Sequence, residues 1–558
     1  MNASTTGDTM NLAQQLLMAL KSHGVSEIFG IPGDFALPFF KVVEESGILP
    51  CHYLSHEPAL GFAADAAARY HSRPSVAAVT YGAGGFNMLN PIAAAYAEKS
   101  PVIVISGGPG ESDRRHGLLI HHQAKDLQSQ LTMYKEVTCD QAILDDPVTA
   151  PAVIARVLAN CIRHSRPVYL EIPRDKVFAP CDPVPMPATD LWPQRREALE
   201  ACADAILARL KQARNPVILG GVEIRRHGVE RQVAELATRL GIPVATTLMA
   251  RGVLSEHEQT PFLGTYLGAG GEAHISDVVE GADVAFFIGV LLTENDFVFS
   301  AQKLDFQQII QAADGQCSMG FHQYPGIGLR NLLDTLLARL PEQPSQKVPH
   351  FPAPVYHRDF QEDDQPITPA DIATLINRHF HQHGPMPIAA DMGDCFFTTL
   401  DIENGILVAP GFYATMGYGV PAGFGLQVAS GQRPIVLVGD GAFQMTGWEL
   451  LNAPRYGWNP IVIVFNNASW EMLRTFQPES RFNDLPLLDF SAIARTLGGI
   501  GHLASNRQQL ADAFKAAFAD EQHFHLIDAR IEKQVLSNTL SRFVSGFKAM
   551  RQKMASGG

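Results

Sequence analysis

The chain has 558 residues, 46% of them hydrophobic and 18% charged, so it can bury a large core and divide into roughly three or four domains of ordinary size. A formal net charge of −14, with no block of Lys or Arg, argues against nucleic acid or an anionic membrane as the main partner and leaves a small molecule as the substrate class. Seven cysteines, an odd number with no CxxC pair, fit reduced thiols better than a disulfide framework or a metal cluster; with no cleavable leader and no membrane-length apolar run, the expected location is the cytoplasm.

In chain order, the pattern predicts a helix from near Thr9 with Leu12, Leu16, Leu17 and Leu20 on one face, ended by Gly24. A strand over 27–29 then enters GIPGDF, which places Asp34 at a strand end, where a helix-capping role and a chemical one are equally open. Glu57 is expected in a turn ahead of an Ala-rich helix over 59–70, where first-turn acids are common. A strand over 76–80 runs into Tyr81-Gly82-Ala83-Gly84-Gly85, a backbone that a ligand could approach closely, with Asn87 near the start of the next helix. Strands over 101–106 and 167–172 complete this first series. Between them lie His121 and His122 in a polar stretch, where paired histidines more often mean nothing than a site.

Proline-rich stretches over 178–194 and 341–355 read as linkers and set the expected domains at 1–180, 195–340 and 355–558. The middle segment has its own strand rhythm at 216, 241, 284 and 306–312, but Gly220-Gly221-Val222 opens no GxGxxG, which argues against a dinucleotide there. The repeated alternation of buried strand and helix predicts an α/β fold of doubly wound parallel sheets, and the first and third segments are similar enough to suggest pseudo-duplication.

The third segment holds the most informative stretch. A buried strand over 435–438 ends in Gly439-Asp440-Gly441 and leads into a predicted helix over 444–455; a second strand over 461–465 ends in Asn466-Asn467. In a parallel sheet both turns lie at the carboxyl ends of neighbouring strands, so Asp440 and Asn467, 27 positions apart, can converge on one hard cation beside a phosphate held by backbone N–H groups.

The chain resembles, end to end, the thiamine-diphosphate-dependent 2-keto-acid decarboxylases, and among them the indolepyruvate and phenylpyruvate branch. The resemblance rests on IPGDFALPFF, HEPALGFAADAAARY, TYGAGGFNMLN, HHQ, PVYLEIPR, ADMGDCFF, MGYGVPAG, GDGAFQMTGWE and NNASWEMLRTFQPES. It implies a pyrimidine-binding, a central and a diphosphate-binding domain. The implied cofactors are thiamine diphosphate and Mg²⁺, and the implied assembly is a homodimer with active sites at the subunit interface, associating further into a homotetramer. Asp440, Asn467 and the carbonyl of Ser469 are implied metal ligands, and Gly439, Gly441, Ala442, Phe443 and Asp394 lie at the cofactor. Met416 is the apolar wedge that bends the cofactor, and Glu57 meets its pyrimidine nitrogen. Asp34, His121 and His122 become the proton-handling group, and Phe396, Met472 and Leu473 the substrate pocket.

At one position the chain departs from that pattern. Pyruvate decarboxylases carry a catalytic glutamate six residues after the second Asn, where this chain has Leu473; Glu471 lies two residues earlier, about 200° away around a helix. The implied activity is non-oxidative decarboxylation of aromatic 2-keto acids. The alternatives are a carboligase of the acetolactate-synthase or benzoylformate-decarboxylase type and a weakly active regulatory subunit.

Overall fold

The computed structural model describes residues 10–115, 117–186, 192, 195–254, 260–297, 304–344, 351, 354–403 and 405–556. Its first helix, Leu12–Ser22, begins at a capping box: the Gln14 N–H donates to Asn11 Oδ1 at 2.9 Å, and the Asn11 N–H donates to Gln14 Oε1 at 3.0 Å. Gly24 follows its end at φ +88°, as the sequence predicts. Thr9 and parts of both expected linkers, 187–191, 193–194, 345–350 and 352–353, lie outside the described residues.

The short apolar runs form strands. Six belong to the first sheet: β1 (Ile28–Gly30), β2 (Cys51–Tyr53), β3 (Ser75–Val79), β4 (Val102–Gly108), β5 (Asp140–Ile143) and β6 (Val168–Pro173). Seven belong to the second: β7 (Pro216–Gly220), β8 (Val244–Thr247), β9 (Phe262–Tyr266), β10 (Val284–Ile288), β11 (Ile309–Ala313), β12 (Gln316–Met319) and β13 (His322–Pro325). The third holds β14 (Ile388–Ala390), β15 (Leu407–Val408), β16 (Ile435–Gly439), β17 (Ile461–Asn466), β18 (Ile500–Ala504) and β19 (His525–Arg530).

The first sheet runs β2-β1-β3-β4-β6-β5 and the third β15-β14-β16-β17-β19-β18, both parallel throughout. Numbered from its own first strand, each has the same order, so the likeness between the two segments extends to their topology. The second sheet, β13-β12-β11-β10-β7-β8-β9, is parallel from β11 to β9 and closes one edge with antiparallel β12 and β13. β12 alternates only over Cys317 and Met319 and β13 has no apolar alternation; Gly320, at φ +58°, turns the chain back and lets them pair. In the crevice between β7 and β10, where such a sheet takes a dinucleotide, the fully buried Glu223 side chain accepts the Asp314 N–H at 2.9 Å, and a Cβ on Gly221 would run into the Gly289 carbonyl.

Two compact units result. Residues 1–191 and 424–431 form the first, around the first sheet; 192–423 and 432–558 form the second, which contains the other two sheets. Within the first unit Gly425 passes so close to Ala63 that a Cβ would strike the Ala63 carbonyl oxygen. Among the described residues no helix is long and apolar enough to cross a membrane.

Candidate active site

The candidate residues fall into two sets, one in each unit. In the second unit, β16 and β17 pair in parallel with Gly439 opposite Phe465, so the turns that follow them emerge side by side. Asp440 is the first residue of the helix Asp440–Thr446 and is 3% exposed; its Oδ1 accepts the Gly441 N–H at 2.8 Å. The expected single helix over 444–455 is corrected here. It starts at Asp440 and is broken by the 3-10 stretch Gly447–Asn452 before Ala453–Tyr456, because Gly447 has no Cβ and the Phe443 ring packs against that face.

After β17 the backbone turns left-handed at Ala468, φ +52°, which aims the N–H groups of Asn467, Ala468 and Ser469 towards the Asp440 carboxylate. Burial pushes that carboxyl up to about 6 against these donors. Two oxygens, Asp440 Oδ2 and Asn467 Oδ1, are buried without a hydrogen-bond partner among the described residues. A pair of orphaned hard oxygens, one of them anionic, suits a divalent cation such as Mg²⁺. Beside them Gly441 leaves room for the Trp470 ring, which a Cβ would overlap. Ala442 and Phe443 continue the first turn of the helix, with the Phe443 ring edge-on to Phe490 at 5.0 Å.

Met416 is half-buried in a loop held by Asp391, a residue that the sequence reading missed. The Asp391 carboxylate is fully buried and accepts the N–H groups of Gly417 at 3.1 Å, Gly419 at 2.7 Å and Met392 at 2.9 Å. Burial raises its pKa to about 7. Asp394 is placed differently: its two oxygens accept the N–H and the hydroxyl of Ser537, just ahead of the C-terminal helix Asn538–Ser556. Phe396 is 2% exposed and belongs to the core of the third sheet.

Glu471 and Leu473 diverge as the two-residue offset requires. Glu471 is buried, with Oε1 accepting the Gln534 N–H at 2.7 Å and Arg474 3.9 Å from Oε2, whereas Leu473 is 54% exposed and Met472 rests against the core.

In the first unit Glu57 is not in a turn ahead of the helix but is its first residue, Glu57–His71, because Pro58 is favoured in a first turn. Its Oε2 accepts the Asn87 side-chain N–H at 2.8 Å, and Gly84 lies alongside Oε1. Asp34, His121 and His122 come together from sequence positions 87 apart: His121 Nε2 bonds the Asp34 carboxylate, and His122 Nδ1 lies 3.8 Å from its other oxygen. Partial burial raises the Asp34 pKa, but the His121 hydrogen bond and charge outweigh it and hold the carboxyl below its ordinary value. Phe35 stacks on the His121 ring at 4.8 Å, and His122 Nδ1 donates to the Tyr81 carbonyl at 3.1 Å.

His122 adopts φ +65°, and its carbonyl sits where a Cβ on Gly82 would be, so the glycine-rich turn and the histidine pair require one another. The Gly82 N–H in turn donates at 2.6 Å to Gln130, whose amide donates to Ser106 and Tyr169 at 2.9 and 2.7 Å. Gln130 is fully buried and carries no sequence signal beyond being a glutamine in an amphipathic stretch.

Comparison with known proteins gives the family. Residues 10–133 match the N-terminal TPP-binding domain of the thiamine pyrophosphate enzymes, 203–320 their central domain and 391–529 their C-terminal TPP-binding domain. A protein named indole-3-pyruvate decarboxylase from Azospirillum brasilense is 54% identical over 97% of this chain and 99% of its own length. The chain belongs to the thiamine-diphosphate-dependent 2-keto-acid decarboxylases. Alpha-keto-acid decarboxylases of Mycobacterium bovis and Mycobacterium avium are both 28% identical, the first over 95% of this chain and 96% of its own, the second over 97% of each. The cofactor of this decarboxylase is thiamine diphosphate, and the orphaned oxygens of Asp440 and Asn467 beside a helix start fit the metal and diphosphate that such a cofactor brings.

Proposed function

We propose that this decarboxylase acts on aromatic 2-keto acids, phenylpyruvate or indole-3-pyruvate, and releases the aldehyde and CO₂ without oxidation. The observation that carries the aromatic preference is Leu473: a half-exposed apolar side chain stands where pyruvate decarboxylases place a catalytic glutamate, while Glu471 is turned away and tied to Gln534. The indole-3-pyruvate decarboxylase relative supports the same reading.

Bound thiamine diphosphate supplies a cationic ring that accepts the electron pair released with CO₂. The protein's part is positioning and proton traffic. Asp440, Asn467 and the Ser469 carbonyl would hold Mg²⁺, and the turn of Gly439 and Gly441 with the N–H groups of Ala442 and Phe443 would receive the diphosphate, the Gly441 N–H itself donating to Asp440. Asp391 fixes the loop that carries Met416, which would be the apolar contact of the cofactor, and Asp394 would support that site through Ser537. Glu57 holds a proton at the pyrimidine ring nitrogen, its carboxylate aligned by Asn87. Asp34, His121 and His122 orient the keto acid and deliver the proton that completes the aldehyde, with the His121 ring bonded to the Asp34 carboxylate. Leu473 and Met472 meet the aromatic ring.

The active site is completed between two copies, with Glu57 of one chain serving the Asp440 site of the other, in a homodimer that pairs into a homotetramer. The enzyme works in the cytoplasm, in keeping with seven free thiols. Steady-state rates over phenylpyruvate, indole-3-pyruvate and pyruvate, with the products identified, test the reading. An aryl substrate should have the highest kcat/KM and yield its aldehyde. A higher value for pyruvate, or a carboligation product in place of aldehyde, would refute it.

A further inference from the structure

Asp34, His121 and His122 have a second capacity besides handling protons. Each offers one ligand atom, and these atoms lie within 4.8 Å of one another, a spacing that no other trio of His, Cys, Asp or Glu attains among the described residues. Solvent reaches them within one chain, the Asp34 and His121 side chains being 38% and 58% exposed. With metal–nitrogen and metal–oxygen bonds of about 2.0–2.2 Å, neighbouring ligands of a tetrahedral ion stand roughly 3.3–3.6 Å apart. His121 is bonded to Asp34 through Nε2, and the His122 ring comes to 3.8 Å of the other carboxylate oxygen, so side-chain rotations of about an ångström close the trio around one ion.

The surroundings hold these donors as the outer partners of a metal centre do. A coordinating imidazole ordinarily donates the N–H of its other nitrogen to a carbonyl or carboxylate, which fixes the ring and leaves the coordinating nitrogen a bare lone pair. His122 does this with Nδ1 on the Tyr81 carbonyl at 3.1 Å, so its lone pair is at Nε2. The His121 ring is held by stacking at 4.8 Å on Phe35, which is 1% exposed. Arg174, over the Phe35 ring at 5.1 Å, is itself paired with Asp113 at 2.6 Å, so its charge does not stand unopposed against an incoming cation. Two imidazoles and one carboxylate suit Zn²⁺, whereas Mg²⁺ takes all-oxygen sets such as Asp440 and Asn467 offer, and three protein ligands leave zinc a fourth position for water.

We propose that Asp34, His121 and His122 bind one Zn²⁺ ion per chain and that the bound ion switches the decarboxylase off. The binding stands on the geometry alone. The loss of activity rests on the reading of this trio as the proton-handling group: a ring nitrogen coordinated to zinc has no proton to deliver, and the ion takes the place of the hydrogen bond between His121 and Asp34.

Calorimetric titration of the full-length protein with Zn²⁺ tests it, with thiamine diphosphate and an excess of Mg²⁺ present so that Mg²⁺ competes at the Asp440 site. One Zn²⁺ per chain is expected to bind at micromolar concentration, about tenfold or more weakly in His121→Ala and in His122→Ala, since loss of an outer partner alone costs about 10- to 100-fold. The parent's decarboxylation rate should fall over the same zinc concentrations and return when a chelator removes the zinc and Mg²⁺ is replenished. Should either variant fail to fold, anomalous scattering from parent crystals soaked in Zn²⁺ should place the ion within bonding distance of both histidines. No saturable binding up to about 1 mM, equal affinity in parent and folded variants, or an ion away from the two histidines would overturn the proposal, leave an adventitious ion only, and not touch the proton-handling reading. Zinc bound at the trio with the rate unchanged would overturn the switch and, separately, the assignment of the trio to proton transfer.

Discussion

Replacing Asp440 by Asn should make the metal-free protein more stable and abolish its response to Mg²⁺. The carboxyl stands at about 6 in the folded protein against an ordinary 3.8, so folding disfavours its charge. A group raised in this way contributes stability that is fully present below about pH 4 and is lost as pH rises through about 6. Above that the ionised carboxylate costs about 3 kcal/mol, at about 1.4 kcal/mol per pH unit. Asparagine is neutral at every pH and keeps an oxygen for the Gly441 N–H. The variant should therefore exceed the parent by up to about 3 kcal/mol near pH 8 and match it near pH 4. Urea unfolding of protein stripped with a chelator, at both pH values, measures the difference, and Mg²⁺ with thiamine diphosphate should then raise Tm for the parent far more than for the variant. A variant less stable than the parent at the higher pH, or an equal cofactor-induced rise in Tm, would show that Asp440 is not a strained anion awaiting a cation.

Glu57→Gln should fold and retain thiamine diphosphate but lose about 10²- to 10⁴-fold in kcat, since an amide can accept the Asn87 N–H yet carries no charge to hold a proton; a loss of only a few-fold argues against the role. Asp391→Ala should cost several kcal/mol in denaturant unfolding, because it orphans three buried N–H groups at about 1–3 kcal/mol each, and it should raise the concentration of thiamine diphosphate needed for half-maximal activity. Glu471→Gln should change kcat little while His122→Ala lowers it strongly; equal losses in the two would place Glu471 in the proton path. Leu473→Glu should weaken binding of phenylpyruvate, measured as KM and as the inhibition constant of an unreactive aryl acid, because it sets a carboxyl against the ring; tighter binding would remove Leu473 from the pocket.

What the sequence made legible is what the backbone places locally. Strand, turn and helix start lie within a dozen residues at Asp440, and likewise the turn after β17 at Asn467, so apolar runs ended by Gly-Asp-Gly and Asn-Asn sufficed to bring them to adjacent strand ends. The opposed directions of Glu471 and Leu473 followed from helical geometry alone. The supports were not legible. Asp391 meets Gly417 and Gly419 at separations of 26 and 28 residues, and Gln130 meets Gly82 at 48; nothing near either residue marks the partner. The strand β13 owes its pairing to a hairpin turn rather than to a hydrophobic period, and the burial of the Phe396 ring among core residues of the third sheet was not legible from its place after Asp394-Cys395.

The seat of residues 424–431 inside the first unit has a consequence for any attempt to take the protein apart. All six strands of the first sheet are complete by Pro173, yet Gly425, which packs against Ala63, is translated some 250 residues later. An N-terminal fragment ending near residue 191 would thus carry its whole sheet and still lack one strip of its surface, leaving the Ala-rich helix Glu57–His71 open where Gly425 belongs. Such a fragment would tend to self-associate through that face, and supplying the C-terminal fragment in trans should suppress the association by restoring the strip.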